Sequence, residues 1–96
     1  MGTDVETTTI TKADMQVYPN PMEEQTNIQI SFKESTSKAH LSVFDVLGKQ
    51  VRSIPLEAQN AGEQTLSFER NGLTTGNYLL ILETDSGKLA QKLIIQ

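Results

Sequence analysis

Apolar residues in this chain recur at every second position in short runs, and turn residues interrupt the runs about every ten residues. No segment repeats its apolar residues at the helical interval. Residues 27–32 alternate without exception: Ile28, Ile30 and Phe32 fall on one side, Asn27, Gln29 and Ser31 on the other. That is the period of a half-buried strand. Residues 40–46 form a second run, with Leu41 and Val43 on one face and Phe44 and Val46 on the other, as expected of a central strand. Leu47-Gly48-Lys49 punctuates it, and Gly48 accepts the positive φ of a tight turn. Residues 50–56 continue extended, so the pair reads as a β-hairpin. Pro55 has no N–H to give to a ladder, which puts the far end of that hairpin at a sheet edge.

Further along, residues 63–68 alternate with Leu66 and Phe68 inward, and Arg70-Asn71-Gly72 signals a turn. Tyr78, Leu79, Leu80, Ile81 and Leu82 are continuous, the pattern of a strand covered on both sides or central to a sandwich. Asp85-Ser86-Gly87 turns the chain. In residues 88–95, Leu89, Leu93 and Ile95 alternate against Ala90, Lys92 and Ile94. Upstream, Gln16-Val17-Tyr18 is a brief extended segment that Pro19-Asn20-Pro21 stops, so it should run along an edge and then turn. About seven strands with turn signals between them predict an antiparallel β-sandwich of immunoglobulin-like type. An antiparallel barrel is the alternative. The Cys–Trp–Cys core of antibody domains is missing, so only the architecture is implied.

Residues 1–14 are Thr-rich and polar, and read as a linker or flexible arm in which a short edge strand is an alternative. The domain is expected over residues 15–96. Residues 1–14 lack the apolar core and basic start of a signal peptide. Met1-Gly2 looks like a start added to an excised fragment, with a native short protein as the alternative.

Composition narrows the function classes. Eight Lys and Arg against 12 Asp and Glu leave a formal charge of −4, which argues against nucleic acid as a partner. The chain has no cysteine, so disulfides, thiolate metal sites and thiol nucleophiles are excluded, and the lone His40 argues against a histidine-built metal site. No apolar run approaches the roughly 18 residues that suggest a membrane span. The remaining candidates for chemistry read more simply as structure. His40 opens a strand beside Leu41; Glu23, Glu24 and Glu34 are loop carboxylates; Asp85-Ser86-Gly87 lacks the ligands that would continue a calcium loop. Gly48 and Asn71-Gly72 carry no phosphate motif. No catalytic residue, metal site or cofactor is expected, and the residues favour a binding, sorting or structural module over an enzyme.

Four stretches, in order, carry a family resemblance. They are Val17-Tyr18-Pro19-Asn20-Pro21, then Val43-Phe44-Asp45-Val46-Leu47-Gly48-Lys49-Gln50-Val51, then Leu73-Thr74-Thr75-Gly76-Asn77-Tyr78-Leu79-Leu80, and a last strand with Lys92-Leu93-Ile94-Ile95 near its end. Together they resemble the C-terminal sorting domain of type IX secretion, the Por system of Bacteroidetes. The resemblance covers residues 15–96. Met22 departs from it, since many members carry an aromatic residue after the Pro-Asn-Pro.

The resemblance implies the C-terminal address of a larger exported protein, which enters the periplasm by its own signal. The outer-membrane translocon would recognise the folded domain, and a sortase-like cysteine peptidase would cut upstream of it, before Met15. The parent would be released or joined to lipopolysaccharide. The same resemblance assigns recognition to Gly76, Tyr78, Lys88, Lys92, Leu93, Ile94 and Ile95, and structural roles to Tyr18, Pro19, Asn20, Pro21, Asp45 and Gly48. Each has a plain alternative: Gly76 as backbone freedom, Tyr78 as core, the prolines as strand stops, Lys92 as a solubilising residue. The expected mechanism is recognition of a folded surface plus an exposed final strand, which would pair with a partner strand or exchange with another copy as a strand-exchanged dimer. The competing function is a β-sandwich adhesion or carbohydrate-binding module, which would need exposed aromatics in a row.

Overall fold

In the computed structural model, residues 13–96 are described, and they form two antiparallel sheets packed face to face. The seven strands are β1 (Ala13–Tyr18), β2 (Gln25–Phe32), β3 (Ala39–Phe44), β4 (Gln50–Pro55), β5 (Gly62–Glu69), β6 (Gly76–Thr84) and β7 (Gly87–Ile95). One sheet has the order β1-β2-β5 and the other β4-β3-β6-β7. The sandwich predicted from the alternation is therefore the fold. Residues 1–12, most of the expected arm, lie outside the described residues. Ala13 and Asp14, the last residues of that arm, pair with Phe32 and Ser31 in β1.

Alternation explains the core. Ile28, Ile30 and Phe32 of β2 meet Leu41 and Val43 of β3, Leu80 and Leu82 of β6, and Leu93 and Ile95 of β7, all buried. Burial of this continuous apolar layer is what drives the two sheets together. Edge positions follow the prolines: β1 ends at Tyr18 before Pro19, and β4 ends at Pro55.

Two strand expectations are corrected. The run Tyr78–Leu82 is interior to its sheet but is not covered on both sides: Tyr78, Leu80 and Leu82 are buried, whereas Leu79 is 39% exposed. The continuous apolar pattern arises because the outward positions are apolar as well. The second strand stops at Phe44 instead of reaching Val46, which is 75% exposed beside Leu47 at 89%. Asp45 ends it. Its carboxylate accepts the backbone N–H of Leu47 and of Lys49, both at 2.9 Å, and Gly48 closes the turn at φ +85°. These bonds are the local alternative that an aspartate offers to a sheet ladder.

Candidate functional site

The motifs converge on one end of the sandwich. β1 ends there and β2 begins there, with Tyr18 opposite Asn27. At the same end, Phe44 at the close of β3 lies opposite Leu79, and Gly76 at the start of β6 lies opposite Ile95. This C-terminal pole therefore holds the Pro-Asn-Pro segment, the Asp45–Gly48 turn, the Gly76-Asn77-Tyr78 segment and the end of the chain. The first described residue, Ala13, lies at the opposite pole with Phe32 and Gly62.

The Pro19-Asn20-Pro21 segment, whose two X-Pro peptide bonds are cis, does more than stop a strand. Asn20 lays its side-chain amide along the edge of β7: Nδ2 donates to the Lys92 carbonyl at 2.8 Å and Oδ1 accepts from the Ile94 N–H at 2.9 Å. Met22 then pairs in parallel with Ile95, donating its N–H to the Ile94 carbonyl and accepting from Gln96 N–H, both at 2.8 Å. The Met22 side chain is fully buried at 0% exposure. The expected free final strand is thus half true. β7 is an edge strand, but its last residues are already covered by residues 20–22, and its open stretch is residues 88–91. The departure at Met22 falls on a core position.

Leu73-Thr74-Thr75-Gly76-Asn77-Tyr78 builds a corner. Tyr78 buries its ring and donates its hydroxyl hydrogen to the Thr74 carbonyl at 2.7 Å, with Thr74 Oγ1 at 3.2 Å. This is the arrangement of the tyrosine corner of immunoglobulin-like sandwiches, in which the phenol ties a strand start to the loop before it. Gly76 sits at φ +157°, and a Cβ at this position would meet nothing within 4 Å, so backbone freedom rather than lack of space selects glycine. Beside the corner, Val46, Leu47 and Val51 face Leu73, Thr75 and Tyr78 across an open groove of about 480 Å³.

Arg70 was not singled out by the sequence, yet it ties this pole together. Its guanidinium donates to the Gln96 carbonyl at 2.8 Å, the Leu73 carbonyl at 3.0 Å and Thr75 Oγ1 at 3.0 Å. Its backbone N–H donates to the Glu24 carbonyl at 2.9 Å. Only a rigid fork of several donors serves so many acceptors at once. No local pattern announces such a role, because Gln96 and Glu24 are remote in sequence.

Of the recognition residues expected from the resemblance, Gly76, Tyr78, Leu93, Ile94 and Ile95 gather at the C-terminal pole. Leu93 and Ile95 are buried, so their side chains belong to the core and offer no surface to a partner. Lys92 is exposed one step up β7. Lys88 is not brought to them: it stands at the far end of β7, 3.4 Å from Glu83. Among the structural set, Tyr18 is 75% exposed, outward on β1. It has no row of exposed aromatics beside it, since Phe32, Phe68 and Tyr78 are buried and Phe44 is half-buried.

The remaining polar candidates have structural partners. His40 Nε2 lies 2.7 Å from Ser53 Oγ and Nδ1 lies 3.2 Å from Ser42 Oγ, a chain of contacts on the outer face of a sheet. Asp85 accepts from Ser37 N–H at 2.7 Å and from the Ser37 hydroxyl, pinning the β6–β7 turn to the loop after β2. The N–H of Ser37, then its hydroxyl, hold the Asp85 carboxyl below the ordinary aspartate value.

Comparison with known proteins agrees with this fold. The crystal structure of dimeric latent PorU from Porphyromonas gingivalis superposes with a TM-score of 0.70 at 21% identity, over 86% of this chain and 9% of that one. The likeness is one of fold, and the chain spans under a tenth of the PorU chain. No curated protein matches. The model of the family described as the secretion system C-terminal sorting domain matches residues 16–96. Domains of that family mark proteins exported to the cell surface or the surrounding medium. On this match over nearly its whole length, with all the motifs at one pole, the chain belongs to the secretion system C-terminal sorting domain family.

Proposed function

We propose that this chain is the address of a larger cargo protein, joined to it through residues 1–14, which the type IX outer-membrane translocon reads as a folded domain. The translocon engages the C-terminal pole. A sortase-like cysteine peptidase then cuts within residues 1–14, and the cargo is released or attached at the surface. The domain itself contributes recognition and no catalysis.

The observation that carries this reading is the convergence of the Pro-Asn-Pro segment, the Asp45 turn, the tyrosine corner and the end of β7 on one pole, while the chain enters the domain at Ala13 on the other. A receptor seated on the motif pole leaves the cargo junction open to a second protein. The open stretch of β7 supports strand pairing as part of recognition.

A reporter fusion tests it. Residues 1–96 are placed behind a periplasm-directed fluorescent protein in a bacterium with type IX secretion. The expected outcome is fluorescence on the surface or in the medium, and periplasmic retention in a translocon mutant. Retention in both strains overturns the reading.

A further inference from the structure

The two sheets show different chemistry to solvent. The outer face of β1-β2-β5 is polar apart from Tyr18 at its end, with Gln16, Asn27, Gln29, Thr65 and Ser67 exposed and Asp14, Glu63 and Glu69 around them. The outer face of β4-β3-β6-β7 carries an apolar patch toward the C-terminal pole. Phe44 lies opposite Leu79, Ile81 lies opposite Ala90, and Ile94 follows on β7. All have the parity opposite to the buried Leu41, Leu80 and Leu93, so they lie on the outer face, Leu79 and Ala90 exposed and Phe44, Ile81 and Ile94 half-buried. A sheet with one solvated face ordinarily keeps that face polar, as the first sheet does. A contiguous outward apolar patch marks an interaction surface.

Among the described residues, the β7 rim of this patch leaves one lysine, Lys92, without a counter-charge although the chain as a whole carries −4. Lys92 lies directly opposite Leu79 and has no ion pair among the described residues; Lys88 lies at the end of the same row, beside Glu83. We propose that this face docks a protein of the secretion machinery that presents an apolar surface flanked by carboxylates. The inference rests on the sorting reading and names the surface and the partner chemistry for it. Charge complementarity selects that occupant. A second copy of this chain brings a net charge of like sign, which opposes association through this face.

The test uses the same reporter with Leu79→Glu and Lys92→Glu, and Thr65→Glu on the polar sheet as the control. Leu79 and Lys92 are outside the core, and thermal melts of the purified 96-residue chain check that each variant is folded. The expected result is export reduced about tenfold or more by each of the first two changes, with melting retained, and normal export for Thr65→Glu. Export of folded Leu79→Glu and Lys92→Glu at the unaltered level overturns the proposal while leaving the sorting reading intact. An equal loss for Thr65→Glu also overturns it, as a general effect of charge. Sedimentation showing a dimer that Leu79→Glu dissociates, with export unaffected, assigns the face to a second copy and overturns it too. Failure of the unaltered fusion to be exported takes down both readings.

Discussion

Tyr78 shows how a single atom organises the C-terminal pole. Its ring belongs to the core, and its hydroxyl is the link to Thr74. Tyr78→Phe keeps the ring and leaves the Thr74 carbonyl without its donor. The expected cost is about 1 kcal/mol, read as a lower urea midpoint at unchanged slope. Asp85 acts at the other pole by charge. Its carboxyl is held below the ordinary value of 3.8 by Ser37, so the folded chain binds this proton less readily than the unfolded chain does. A depressed carboxyl stabilises the fold above the unfolded value, and the contribution disappears as pH falls through the folded value. Asp85→Asn should therefore melt below the unaltered chain at pH 6 and level with it at pH values well under 3.8. A difference that persists undiminished in acid would show that the contact is not electrostatic.

Among the elements, β7 is the one whose neighbours matter most. It is the edge of its sheet, and the Asn20–Met22 strap covers only its end. Met22 anchors that strap by full burial. Met22→Ala is expected to cost about 2–5 kcal/mol and to speed hydrogen exchange most at the Ile94 and Gln96 amides. Exchange that rises evenly over all strands would mean that the strap does not open on its own. The strands themselves were legible in the sequence, because a period of two is a local signal that burial enforces at every position. Pro55 and Pro19 marked edges for the same local reason. The strap was not legible. Asn20 and Ile94 are separated by 74 residues, and nothing in Pro-Asn-Pro says which carbonyl an asparagine will meet. The tyrosine corner lay within reach, since Tyr78 and Thr74 are neighbours in sequence, and the Gly-x-Tyr motif already marked the place. The reach of Arg70 to Gln96 and the Asp85–Ser37 contact lay beyond it, being products of tertiary placement.

For the whole molecule, the placement of the motifs at one pole and of Ala13 at the other bears on how the proposed signal is tested. The end of the chain is part of the core, since Leu93 and Ile95 are buried between the sheets and Gln96 is held by Met22 and Arg70. Removing residues 93–96 takes two large apolar side chains out of a single small core, at about 2–5 kcal/mol each. Domains of this size are stable by only about 5–15 kcal/mol, so the truncated chain should be largely unfolded at growth temperature. Loss of export on truncation therefore reports the fold before it reports any contact with a receptor. Lys92→Glu separates the two, because the side chain is exposed and only its backbone carbonyl is engaged by Asn20. The truncated chain should lose its cooperative thermal transition in circular dichroism, and the Lys92→Glu chain should keep it. A truncated chain that still melts cooperatively yet is no longer exported would show that residues 93–96 serve recognition without being needed for folding, and would place the signal in the tail rather than in the assembled pole.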